Sequence, residues 1–300
     1  MINIKELINK AAERGITVIE QTVTKNNVKI AQLRFYKNKI NLCPCINIED
    51  IKSRFKDSTY PIEDAIDYIE DIIKSETYKS ANEISEYIFD ENTVINKIRI
   101  GVQEQADDSA FFTKNDYTNL WEFLYIRIDE TATIKVTDPY IQAINKKYGY
   151  VYADLYGFAE KNEIENSRID TMENIIANLM LPRERKYIMP KLEEFFPPFE
   201  DNSLGLYVVS NEERFRGASA IGIQRIMFRI ADKLNCRYLT VIPSSIHELI
   251  VTKKNEDEMS ESYLLHLVKQ VNEENVKPEE KLCDRVYTFD AYTGDYDYTE

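Results

Sequence analysis

Three hundred residues with 43% hydrophobic side chains are enough for a sizeable core, in one large domain or two ordinary ones. The balance of 38 Lys and Arg against 52 Asp and Glu, a net charge of −14, argues against a general nucleic-acid binder, which needs cations to displace counterions from phosphates. No apolar run approaches the ~18 residues of a membrane span, so no membrane partner is expected.

The opening MINIKELINKAAERG places Ile4, Leu7, Ile8 and Ala11 on one face of a helix over 2–14, with Gly15 as its stop. Its interspersed charges leave no signal-peptide core. Two strands follow around an Asn26-Asn27 turn, then a third through Ile40, Leu42 and Ile46, with Pro44 suiting an edge. Asn47 is a candidate cap for the next helix. Pro61 opens another, with Ile62, Ala65, Ile66, Ile69, Ile72 and Ile73 as its apolar stripe. Ser80 and Glu83 have capping-box spacing for a short helix near 81–88.

Further on, VINKIRIGV predicts a strand, and LWEFLYIRIDETATIKVTD a hairpin turning near 129–131. Helices are expected around 138–147, 151–162 and 169–180. Three prolines make 189–205 the best connector, a candidate hinge. LGLYVVSNEERFRGASA predicts a strand, a turn and a second strand, followed by a helix from 221 to Leu234 that Asn235 can end. Strands at CRYLTVIP and IHELIVTK flank Ser244–Ser245. A helix then turns Leu264, Leu267, Val268 and Val271 inward, and RVYTFDAY is a last strand. The expected architecture is α+β, mostly antiparallel sheets with packed helices. A small N-terminal α-β-β-β-α-α subdomain spans 1–90, and a larger α+β domain spans 91–300.

PSSIHE, 243–248, gathers Ser244, Ser245, His247 and Glu248. On a strand, His247 would share a face with Ser245, Leu249 and Val251, and Glu248 would point away. A Ser-His-acid triad needs each member within hydrogen-bond reach of the next. His247, Ser244 and Ser245 are therefore weak catalytic candidates, and a structural histidine in a hairpin is the expected reading. His266 falls on the outer face of its helix. Cys43-Pro-Cys45 is a C-x-C with no second ligand cluster nearby, so no metal is expected. The four cysteines Cys43, Cys45, Cys236 and Cys283 are too scattered for a disulfide framework and suit a reducing cytoplasm. GASAIG, 217–222, lacks a cofactor fingerprint, so no cofactor is expected. Its backbone, helped by Arg214, Arg216 and Arg225, could bind an anion; solvated arginines around a tight glycine turn are the other reading.

LYVVSNEERFRGASA, IPSSIHELIV and VKQVNEENVKPEEKLCDRVYTFD together resemble a bacterial family of unknown function (number 5688), common in clostridia and their mobile elements. In its V-x-P-E-E-x-L-x-D-x-V-Y pattern stand Val276, Pro278, Glu279, Glu280, Leu282, Asp284, Val286 and Tyr287. LRFYKNKINLCPCINIEDIKSRF resembles the family's opening strands and first helix. The resemblance implies no activity. The expectation is a non-catalytic cytoplasmic protein acting on a protein partner of basic or nucleic-acid-binding character. A narrower variant is an acidic inhibitor, from a phage or other mobile element, of a nucleic-acid-handling enzyme. The alternative is a hydrolase built on His247 with Ser244 or Ser245. Direct nucleic-acid binding is not expected.

Overall fold

The first helix begins where the Asn3 side chain accepts the N–H groups of Lys5 and Glu6, and ends at Gly15, whose φ of 72° needs no Cβ. In this computed structural model the described residues are 2–26, 28–36, 45–75, 81–128, 132–179, 187–198, 205–243, 245–254 and 261–300. They divide into two units, Met1–Asp90 and Glu91–Glu300.

The N-terminal unit runs α1 (Ile4–Glu13), β1 (Thr17–Lys25), β2 (Val28–Tyr36), β3 (Cys45–Asn47), α2 (Ile48–Arg54), α3 (Pro61–Ser75) and α4 (Ala81–Ile88). The sheet is antiparallel in the order β1-β2-β3. Ala65, Ile66 and Ile69 of the α3 stripe are buried with Leu7, Ala11, Leu33, Phe35 and Ile51. One expectation is corrected. Asn47 stands at the start of α2, but its side chain makes no cap bond; Gln32, opposite it in the sheet, donates to Asn47 Oδ1 at 2.7 Å. Ile40, Leu42, Cys43, Pro44 and Ser80 lie outside the described residues.

The C-terminal unit begins with α5 (Glu91–Lys97), so Val94–Lys97 of VINKIRIGV is helix and only the rest is strand. β4 (Ile98–Gln103), β5 (Phe112–Lys114), β6 (Trp121–Arg127) and β7 (Thr133–Lys135) form one antiparallel sheet. β4 lines one edge of β6, and β5 and β7 share the other. Helices α6 (Asp138–Tyr148) and α7 (Tyr152–Asn166) follow. The expected helix over 169–180 is in fact β8 (Ser167–Thr171) and then α8 (Met172–Leu179). Ile169, Met172 and Ile175 mimic helical spacing, but Ser167–Thr171 pairs residue by residue with the next strand, β9 (Leu206–Asn211). Met189–Phe195, within the proline-rich segment, bonds back to β8: Ile169 N–H donates to Pro190 O and Leu192 N–H to Ser167 O.

No second strand follows β9. Gly217–Gly222 is a turn of 3₁₀ helix, and α9 (Gln224–Leu234) starts only after it. Asn235 ends α9 in the left-handed region, φ 50°. β10 (Tyr238–Ile242), β11 (Leu249–Lys253), α10 (Glu261–Asn275), β12 (Val286–Asp290) and β13 (Tyr296–Thr299) complete the chain. The second sheet of this unit is antiparallel in the order β13-β12-β10-β11-β9-β8. On α10, Val268 and Asn272 are buried and His266 is exposed, but Leu267 and Val271 are exposed too. The buried Asn272 explains the rotated face: its amide donates to Cys283 O at 3.2 Å and Asp284 Oδ1 at 2.9 Å. The protein is thus α+β with antiparallel sheets throughout the described residues. Among them no helix is long and apolar enough to cross a membrane.

Candidate functional site

β6 is buried on both faces, and its alternation sorts two sets of side chains. Phe123, Tyr125 and Arg127 share one face. Across the ladders Phe123 stands opposite Gly101 and Phe112, and Tyr125 stands opposite Arg99 and Lys135. Cross-strand partners lie on the same face, so one surface carries two rows, Gly101–Phe123–Phe112 and Arg99–Tyr125–Lys135. Gly101 is required there: a Cβ would meet the Phe123 ring at 2.5 Å.

The loop after β9 lies against this surface. Asn211 fixes it twice, donating to Phe215 O at 2.7 Å and accepting from Phe215 N–H at 3.1 Å. Arg214 and Arg216 both hold φ near 50°, the left-handed region that costs a non-glycine residue about 1–2 kcal/mol. Gly217 then passes so close to β9 and the hairpin that a Cβ would meet Asn211 N at 2.7 Å and His247 O at 2.8 Å. The loop carries Phe215 to within 5.5 Å of the His247 ring and sets the Arg127 guanidinium 4.8 Å from the Phe215 centroid. Arg216 enters above Phe123, Tyr125 and Phe215, at 5.1, 6.0 and 5.7 Å. Lys135 Nζ lies 4.5 Å from the Phe123 centroid and donates to Ser109 Oγ at 2.5 Å; Ser109 in turn bonds Asp107. Burial, then the Arg216 charge, push Lys135 down to about 8 against the pull of Asp107. Burial likewise lowers Arg216.

The hairpin residues fall differently from the strand reading. Residues 245–247 form a bend and β11 begins only at Leu249, so His247 is not on the Leu249–Val251 face. Its ring Nδ1 accepts the Arg216 N–H at 3.2 Å. Its carbonyl accepts Ser210 Oγ at 2.7 Å and Gly217 N–H at 3.0 Å. Burial, and Arg216 nearby, hold the ring down at about 4, so it is neutral at pH 7 with its proton on Nε2. Ser245 Oγ accepts the His247 backbone N–H at 3.0 Å and closes the turn. Glu248 lies 3.6 Å from Arg214 and does not orient the ring. Ser244 lies outside the described residues. The three arginines part company: Arg214 and Arg225 are exposed, and Arg216 is turned inward.

The Val276–Tyr287 motif locks the hairpin from behind. Glu280 O accepts Ile246 N–H at 2.8 Å, Leu282 and Val286 are buried, and Tyr287 OH donates to Thr118 O at 3.1 Å. Cys45 is exposed, Cys236 is part-buried and Cys283 is buried. No group of three or more His, Cys, Asp and Glu is placed to hold a metal among the described residues.

Several buried polar groups escaped the sequence reading, Glu122 and Glu163 among them. Glu122, on the other face of β6, accepts from Asn115 Nδ2 at 2.8 Å and Tyr156 OH at 2.9 Å, and burial raises its pKa. Glu163 of α7 faces Arg99 at 3.4 Å and accepts Ile100 N–H. A charged residue inside LWEFLYIRI, at Glu122, was the available signal: an acid flanked by apolar residues in a buried strand must find a partner.

The family profile described as a family of unknown function, DUF5688, matches residues 1–291, and the chain belongs to that family. No curated protein and no solved structure matches it.

Proposed function

We propose that this DUF5688 member acts by binding a protein, and not by chemistry at the 244–248 hairpin. The observation that carries the reading is an aromatic ledge in the C-terminal unit. Tyr292 is 84% exposed. Arg237 lies 5.5 Å from its ring and 4.7 Å from that of Tyr238. Asp290 holds Arg237 through two hydrogen bonds, at 3.2 and 2.9 Å. The ledge borders a groove of about 440 Å³ lined by Phe228, Asp232, Asn235 and Cys236 among others. Exposed Tyr and Arg are the residue types that dominate binding hot spots, and an arginine already fixed loses less freedom on binding. The net charge of −14 selects a partner with a basic face. A nucleic-acid-handling enzyme has such a face, and inhibition of one from a mobile element is the narrower form of the same reading. The cytoplasm is its setting.

The hydrolase reading has less support. His247 Nδ1 already accepts a backbone N–H, and Ser245 serves the turn. The test is capture from a cell lysate on the immobilised full chain, beside an Arg237→Ala, Tyr292→Ala double variant. The parent is expected to retain a basic protein that salt elutes, and the variant to retain at least tenfold less. Equal capture by both contradicts the ledge. Ester or peptide hydrolysis that His247→Ala abolishes contradicts the binding reading itself.

A further inference from the structure

Arg216 is an arginine without an ionic partner. Its backbone N–H goes to His247 Nδ1, while its guanidinium touches three aromatic rings. None of its five side-chain N–H donors has a hydrogen-bond or salt-bridge acceptor among the described residues. The other arginines of the same region are paired: Arg127 with Glu213 at 2.9 Å, Arg214 with Glu248, Arg99 with Glu163. The nearby carboxylate, Asp107, is committed to Ser109 and Gln103 and forms no salt bridge with Arg216 or Lys135 among the described residues. Two cations, Arg216 and Lys135, thus stand over one ring, Phe123. Cation–π contact offsets only part of the cost of withdrawing a part-buried guanidinium from water. The chain nevertheless holds the loop in this arrangement. It uses two left-handed non-glycine residues, the double bond from Asn211, and a Gly217 that admits no Cβ. Backbone held this firmly against its own preference marks a side chain that is being aimed.

We propose that Arg216 and Lys135 form a binding site for a phosphate-type oxyanion carried on a small apolar or aromatic body. The guanidinium fork supplies paired donors for two oxygens, and the Lys135 ammonium supplies a second positive charge. The part-exposed rings of Phe112 and Phe215 supply flat walls for the body, while Phe123, fully buried, is the floor beneath the two cations. Neutral His247, whose ring lies 5.5 Å from that of Phe215, adds no charge to the site. The site is independent of the protein-binding ledge around Tyr292, and either can fail without the other.

The experiment is thermal unfolding of the full chain against increasing phenyl phosphate or inorganic phosphate, with sodium chloride at matched ionic strength as control. Binding to the folded state alone stabilises by RT ln(1 + [L]/Kd), so Tm climbs with the logarithm of ligand concentration once Kd is passed. Phenyl phosphate is expected to give the same rise as inorganic phosphate at a concentration at least tenfold lower. Arg216→Gln is expected to weaken the effect at least tenfold, and Lys135→Met several-fold. The proposal is overturned if neither oxyanion exceeds chloride, or if the shift persists undiminished in Arg216→Gln. Equal response to the two phosphates overturns the aromatic-walled ligand. If Arg216→Gln does not fold, Lys135→Met carries the same decision, because an undiminished shift there contradicts the paired cations.

Discussion

The two units bury different things. In the N-terminal unit the core is aliphatic with one aromatic ring, Phe35, and Gln32 is the only buried polar residue among those described. Two of its ion pairs, Lys10–Glu63 and Arg14–Asp67, lie at the surface and tie α1 and the residue after it to α3. The C-terminal unit buries Arg99, Glu122, Asn162, Glu163, Arg168 and Asp170. Each withdrawn charge there needs a partner at a set distance, and such groups stabilise less than an apolar core of equal volume would. The described core of the first unit is therefore almost wholly apolar. The second holds polar groups in a defined geometry, where an apolar core of equal volume would stabilise more.

That contrast can be broken by truncating one acid in each unit. Glu163→Ala strands the Arg99 guanidinium beside Asn162 O with no counter-charge, and should cost about 3–5 kcal/mol in denaturant unfolding. A cost near zero would mean that the C-terminal polar network is as dispensable as a surface. At the other extreme, Glu63→Ala removes the partner of Lys10 on an exposed face, and should leave the unfolding midpoint unchanged within error. A clear loss there would show that the N-terminal unit depends on its charges, and the contrast would not stand.

Local pattern made the first unit readable and the second only in part. The α3 stripe and the hairpin of β1 and β2 need only spacing within one segment, and both stand as their periodicity says. β8 was hidden because Ile169, Met172 and Ile175 fit a helical period, and its strand identity comes from pairing with β9 some forty residues later. The 3₁₀ turn at Gly217–Gly222 was hidden for a related reason: GASA has no side chain large enough to declare a face, and close approach to Ser210 and His247 decides its course. On α10, Asn272 displaced the apolar face because its amide satisfies Cys283 O and Asp284. The Arg216 site was half legible. The arginine was visible beside its glycine, but Phe123 and Lys135 reach it through strand register, which one sequence does not display. The place of His247 was not legible: it lies in a bend and accepts the Arg216 N–H, and is not on the strand face that alternation gives it.

The claim on which the rest depends is that His247 is a neutral structural ring. Its folded pKa, about 4, lies below the ordinary value near 6.5, so between those values the folded state binds fewer protons than the unfolded chain. Its contribution is therefore fully present above pH 6.5 and is lost as pH falls through 4, an acid destabilisation of about 1–3 kcal/mol. The direct measurement is the ring ¹⁵N shifts of His247 in the folded protein from pH 7.5 to 4, with the exposed His266 replaced by Gln to leave one signal. The prediction is an Nε2–H tautomer with Nδ1 as acceptor, unchanged until the pH nears 4. Protonation near pH 6.5, or an Nδ1–H tautomer, would contradict the bond from Arg216 and return the 244–248 hairpin to candidacy as an active site.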